Sequence, residues 1–266
     1  MIVIFFMDLK QKLDYHYNSF DKSQISPDPL QFLHLFSKAA DIEIMGFIAS
    51  IFAYGNVMQI INTLDKILLI SKSNPYEFVM NFDKSGNKIK LKGMKHRFYT
   101  DGDIQNLFSA LNNICRQKGS LKNLFLENYN ESQKNIKNGL SLFSKNLIYE
   151  IKNKTKSAKI SQGVRFMFPL PELGSACKRM NLFLRWMVRQ DDLDFGLWNE
   201  IPTDKLVIPV DTHVARICKS LKLTSYKNVS WKMAEEITEN LKAFDPEDPV
   251  KYDFAICHIG IRRLKF

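Results

Sequence analysis

Two residues stand where they could do chemistry together, Lys178 and Asp211. Lys178 follows a Pro/Gly turn, Pro171 to Gly174, and opens an apolar stretch containing Leu182, Leu184, Trp186, Met187 and Val188. An amine at the start of a buried helix, beside Arg179, meets partial desolvation and a neighbouring cation. Both disfavour the ammonium and lower its pKa, which makes an amine nucleophilic near neutral pH. Asp211 lies in Pro209-Val210-Asp211-Thr212-His213, ahead of a second helical stripe of Val214, Ile217, Cys218 and Leu221. Taken alone, this carboxylate is adequately explained as a helix N-cap. One amine and one carboxylate at two helix starts are also what a covalent amine mechanism requires.

The elements that must position this pair are helical. With 266 residues, 45% of them hydrophobic, the chain can bury a sizeable core in one or two lobes. No alternating strand pattern, internal repeat or low-complexity linker interrupts it, so the expected fold class is all-α. Asp8 to Phe20 reads as a surface helix, broken by Ser26-Pro27-Asp28-Pro29. Leu30, Phe32, Leu33, Leu35 and Phe36 form a short apolar element. Asp41 to Tyr54 is nearly all apolar, with acids only in its first turn, and predicts a helix buried on most sides. Gly55-Asn56 ends it at a tight corner before a helix over Val57 to Ile70. Lys84 to Lys92 reads as a loop, followed by the mixed cationic and aromatic run His96 to Tyr99. Asp103 to Ile114 carries a clean helical stripe with Thr100 or Asp101 as cap. Further helices are predicted at Leu121 to Phe125, Ile136 to Ile151, Trp231 to Leu241 with Ser230 as cap, and Val250 to Ile261. Lys152 to Arg165 is basic and without an acid. It reads as a solvated loop whose place before the Pro/Gly turn brings Lys156 and Lys159 within reach of phosphates.

The chain carries a formal net charge of +10 and a pI of about 9.3. Such a balance on an ordinary core fits a polyanionic partner, or a genome that loads lysine onto every surface. The four cysteines, Cys115, Cys177, Cys218 and Cys257, are widely spaced. Reduced thiols are therefore expected, in a cytosolic protein with no metal held by cysteine. The opening Met-Ile-Val-Ile-Phe-Phe is too short for a secretory core, and Met7 is the expected initiator. No apolar run approaches the roughly 20 residues of a membrane span.

Pro209-Val210-Asp211-Thr212-His213-Val214-Ala215-Arg216-Ile217 resembles the segment carrying the catalytic aspartate of the helix-hairpin-helix (HhH-GPD) DNA glycosylases, the endonuclease III and 8-oxoguanine glycosylase superfamily. Leu170-Pro171 through Gly174, with Lys178, resembles their hairpin and Schiff-base lysine. The corner after Asp41–Tyr54 is similar to their lesion-side loop, and Tyr252 to Gly260 to their closing helix. The overall likeness is nearest to a bacterial branch. The hairpin departs from the usual Leu-Pro-Gly-Val-Gly, because Glu172 replaces the first glycine and the lysine lies farther on. The Lys178–Asp211 interval is longer than in endonuclease III and similar to that of archaeal 8-oxoguanine glycosylases. The iron–sulfur cysteines of endonuclease III are absent.

This resemblance implies a two-lobed, all-α glycosylase-like unit over residues 1–266 with a cleft between lobes and no iron–sulfur cluster. Its helix-hairpin-helix-like element would span about 162–190 and its catalytic-aspartate segment 207–221. The implied activity is excision of a damaged base, oxidised purines included, from duplex DNA. Lys178 would form the Schiff base assisted by Asp211, with β-lyase strand cleavage as an extension. Backbone around Leu173, Gly174, Ser175 and Ala176 would hold a phosphate. Arg179, His213, Lys156, Lys159, Tyr54, Asn56 and Arg97 complete the implied DNA contacts. No cofactor is implied beyond an optional monovalent cation at the hairpin. The implied state is a monomer, cytoplasmic and nucleoid-associated, with no membrane partner. Two alternatives stand beside it: a non-catalytic nucleic-acid-binding relative, and a helical interaction protein.

Overall fold

The computed structural model describes residues 9–84, 86–155 and 159–261, the last four by backbone alone. The expected initiator Met7 and the basic residue Lys156 lie outside the described residues. In chain order the helices are α1 (Leu9–Asn18), α2 (Ala39–Phe52), α3 (Val57–Ile70), α4 (Pro75–Met80), α5 (Asn87–Lys90), α6 (Asp101–Lys118), α7 (Leu121–Leu126), α8 (Lys137–Thr155), α9 (Gln162–Met167), α10 (Lys178–Val188), α11 (Thr212–Ser220), α12 (Trp231–Lys242) and α13 (Asp253–Ile261). Among the described residues there is no strand, only isolated bridges at His96–Tyr99 and Gln190–Phe195. The chain is all-α.

It divides into two compact units, one of Ser26–Leu173 and one that joins Met1–Ile25 to Gly174–Phe266. In the first, α2 is the central element. Every residue from Asp41 to Phe52 is buried, as a nearly unbroken apolar run requires. It packs against the 3-10 segment Pro29–Leu35, α3 and α4, while α6, α7 and α8 pack on one another. Glu43, a buried acid on α2, accepts the backbone N–H groups of Leu121 and Lys122 at the start of α7. That arrangement satisfies the helix's orphan donors and places negative charge at its positive end. Thr100 caps α6 through a full capping box with Asp103.

The segment expected as a loop over Lys84 to Lys92 contains the one-turn helix α5. Four residues behind Gly86 are too few to print a 3.6-residue period. Likewise, the basic run expected as a solvated loop is divided between the end of α8 and α9, where Ser161 caps through the N–H of Val164.

In the second unit α13 packs against α1 and α11, and the 3-10 turn Pro249–Tyr252 packs against α12. Its core includes Trp186, Trp198, Trp231 and Tyr252, all nearly inaccessible to solvent. Through this core runs a charged network. Arg185 binds Asp253 and Asp194, and Arg189 binds Asp194, Asp191 and Asp248. Burial pushes the Asp253 carboxyl up to about 6, against the opposing pull of Arg185 and Lys178.

Candidate functional site

Lys178 is the first residue of α10, and Asp211 is the N-cap of α11. The fold joins them: Lys178 Nζ donates to Asp211 Oδ2 at 2.6 Å. The other carboxylate oxygen, Oδ1, accepts the N–H groups of His213 and Val214, each at 2.9 Å. Asp211 is thus both cap and counter-ion. Its orientation is fixed from the helix side, while one oxygen serves the amine.

The local backbone explains how a lysine comes to begin a helix here. Cys177 lies in the left-handed region at φ +48°, a conformation that costs a non-glycine residue about 1–2 kcal/mol. It is held there by burial and by Ser175, whose Oγ accepts the Cys177 N–H and whose carbonyl accepts the thiol. Burial pushes that thiol up to about 12, so it is inert. α10 has no side-chain cap, and among the described residues no acceptor takes the N–H of Gly174, Ser175 or Ala176. Gly174 itself sits at φ +87°, and its carbonyl accepts the N–H of Trp231. Backbone strain beside a reactive side chain is typical of functional sites.

The electrostatics reverse one expectation. Burial acts to lower the Lys178 pKa, but the Asp211 carboxylate and its hydrogen bond outweigh it, with smaller contributions from Cys257 and Asp253. The ammonium is held above its ordinary 10.5. Arg179, the expected source of repulsion, is itself buried, and its charge acts on the Cys177 thiol. For Asp211, burial raises the pKa, but Lys178 and the two N–H donors prevail and hold it below 3.8. The two side chains remain 32% and 33% exposed. Water therefore screens the pair, whose stabilisation is about 1 kcal/mol or less. The Asp211 share is present above the ordinary 3.8 and lost as pH falls below it; the Lys178 share is present below 10.5 and lost as pH rises past it.

A consequence for any amine chemistry follows. The neutral form of Lys178 grows with pH, so a Lys178-dependent single-turnover rate should climb steadily between pH 6 and 9. A rate that peaks at pH 6 would mean that the amine is not the nucleophile.

His213 packs at the first turn of α11. Its Nδ1 lies 3.2 Å from Arg216 Nη2, while its Nε2 is buried and meets no hydrogen-bond partner among the described residues. Leu173 is 79% exposed and belongs, with Tyr54, Asn56, Arg97 and Lys159, to the Ser26–Leu173 unit. There Asn56 caps α3, and Tyr54 donates its hydroxyl to the His96 carbonyl. Arg97 lies over the Tyr54 and Phe98 rings, and a Cβ on Gly55 would stand 2.5 Å from its guanidinium. Asn56, Tyr54 and Arg97 thus each have a structural role of their own.

Sequence patterning alone passes over Asp253, whose charge bears on Lys178. Asp253 looks like an ordinary first-turn acid. The available signal was Arg185, a cation in the middle of a helix otherwise built for the core.

A family described as "Protein of unknown function (DUF2400)" matches residues 28–262. The chain belongs to that family. The DUF2400 match takes in both Lys178 and Asp211 and all helices from α2 to α13 in full. No curated protein and no solved structure matches the chain. Among the described residues no cluster of His, Cys, Asp and Glu could hold a metal, and no helix is long and apolar enough to cross a membrane.

Proposed function

We propose that this protein is a DNA glycosylase that excises a damaged base, oxidised purines being the first class to test, through Lys178 and Asp211. The observation that carries the reading is the 2.6 Å contact between Lys178 and Asp211, with the carboxylate fixed by two backbone N–H groups. The aspartate-segment resemblance supplies the substrate class, and the net charge of +10 agrees with a polyanionic partner.

A base within a duplex is unreachable, so the reading requires its extrusion toward the pair. As the bond from C1′ to the base breaks, positive charge grows on the sugar and Asp211 stabilises it. Lys178 gives up its proton and its lone pair forms the bond to C1′; the departing base takes up a proton. Opening of the sugar ring leaves an imine. Loss of a C2′ proton then expels the 3′ phosphate and cuts the strand. The unpartnered N–H groups of Gly174, Ser175 and Ala176 suit a phosphate oxygen.

The resting ion pair favours one competing reading, a nucleic-acid-binding relative that does not excise, because a protonated Lys178 is no nucleophile. Ligand binding separates the two. Removing the water that now screens the pair penalises the ammonium and drives its proton toward the departing base, which leaves Asp211 charged opposite the sugar.

Asp211→Asn is the direct test. Asparagine still caps α11, so the unfolding midpoint should move by only a few degrees. Excision from a panel of lesion duplexes should fall by about a hundredfold or more, because the developing charge loses its counter-ion. Equal loss of thermal stability and activity would make Asp211 chiefly a cap. No excision by the wild-type chain on any lesion would remove the glycosylase reading.

A further inference from the structure

The Ser26–Leu173 unit carries a groove of about 460 Å³ with four lysines in its walls, Lys66 from α3, Lys90 from the end of α5, and Lys92 and Lys95 from the segment behind it. All four are exposed, and among the described residues none makes an ion pair with a carboxylate. Other lysines of the same unit do: Lys88 and Lys154 pair with Asp83, Lys118 with Glu127, and Lys145 with Glu172. Asp101 is an acid whose charge meets Lys95, and its carboxylate is already occupied by the N–H groups of Gly93 and Gly102. Four like charges around one concavity repel each other, and a ligand with several negative groups relieves that repulsion.

Shape and apolar content narrow the ligand. The lysines stand on two walls of a groove, which suits a chain of phosphates better than a flat anionic surface. Leu69, 79% exposed, and Met94 lie among the lysines and offer apolar contact to a sugar or base. An adjoining pocket of about 290 Å³ shares Ile70 and Lys90 with the groove and includes Asn87. Asn87 is only 4% exposed and its Oδ1 meets no partner among the described residues, so an N–H donor such as a nucleobase amine would satisfy it.

We infer that this groove binds the phosphodiester backbone of a nucleic-acid strand through Lys66, Lys90, Lys92 and Lys95. It shares the polyanionic partner of the glycosylase reading but none of its residues, and it stands or falls separately.

The test uses the full chain and fluorescence anisotropy with lesion-free single-stranded and duplex oligonucleotides between 50 and 200 mM salt. One variant changes Lys66, Lys90, Lys92 and Lys95 to Gln. A control of equal charge changes the exposed Lys22, Lys38, Lys227 and Lys232 to Gln. Loss of four phosphate contacts should make the salt slope shallower by about 3 and weaken binding at least about tenfold relative to the control. Equal weakening in both variants would reduce the groove to general charge and overturn the inference. So would loss of binding to vesicles containing phosphatidylserine with oligonucleotide binding intact. Lysine acylation of the wild-type chain gives a reading that needs no variant: bound oligonucleotide should protect the four lysines, and unchanged labelling would overturn the site. Trapping of a lesion duplex at saturating concentration should persist in the groove variant. A wild-type chain that never traps, with a groove variant that still loses affinity, would remove the glycosylase reading and keep this one.

Discussion

Lys178→Gln should abolish borohydride trapping of the protein on a duplex carrying the right lesion, while leaving binding nearly unchanged. Borohydride reduces an imine between an amine and an opened sugar to a permanent bond, so wild-type protein should yield a covalent adduct. Glutamine keeps length and a polar head at the first position of α10, where no side-chain cap depends on the lysine. The substitution leaves Asp211 without its cation, but the carboxylate keeps two backbone donors and a third of its surface in water. The folded state should therefore lose no more than about 1 kcal/mol. Excision that continued without trapping would point to water as nucleophile with Asp211 carrying the chemistry. Full trapping in the variant would place the nucleophile on another residue.

The largest stability effect is expected at Arg189. Its side chain is 3% exposed and binds three carboxylates, of which Asp194 is almost completely buried. Several charges out of water are tolerable only while each has its partner. Arg189→Leu would leave Asp194 to Arg185 and take the cation from Asp191 and Asp248, and should lower the unfolding free energy in urea by about 3–5 kcal/mol. Arg189→Lys keeps the charge but loses the planar fork that reaches three acids at once, so it should recover only part of that loss. A loss below about 1 kcal/mol in the leucine variant would show that water enters and solvates the acids.

Much of this scaffold is legible in the sequence. α3, α6 and α12 repeat their apolar residues at helical spacing, and the caps Asn56, Thr100 and Ser230 stand directly in front of them. The pairing of Lys178 with Asp211 is suggested by an amine and a carboxylate at two helix starts and strengthened by a resemblance, because distance along the chain hides it from any local pattern. The sign of the Lys178 shift was not legible for the same reason. Arg179 is its neighbour in sequence, but the group that decides its charge is Asp211. The four groove lysines escape a reading by composition because they are divided between a helix face and the end of a short turn. The basic run over Lys152 to Arg165 is continuous in sequence and so is the more conspicuous pattern.

The Lys178 unit is discontinuous: α1 precedes residues 26–173, and α10 to α13 follow them. Its closing bonds span most of the chain, as in Tyr17 to Asp191 and Tyr252 to Asp14. During synthesis α1 emerges before residues 26–173 and waits without its partners while an entire second unit is made. Residues 26–173 can complete their own core on the ribosome. The unit that holds Lys178 and Asp211 assembles after it, once α13 has left the exit tunnel. Protein synthesis that stops short of α13 therefore leaves the candidate active site unformed, so truncated products would carry its residues without its geometry.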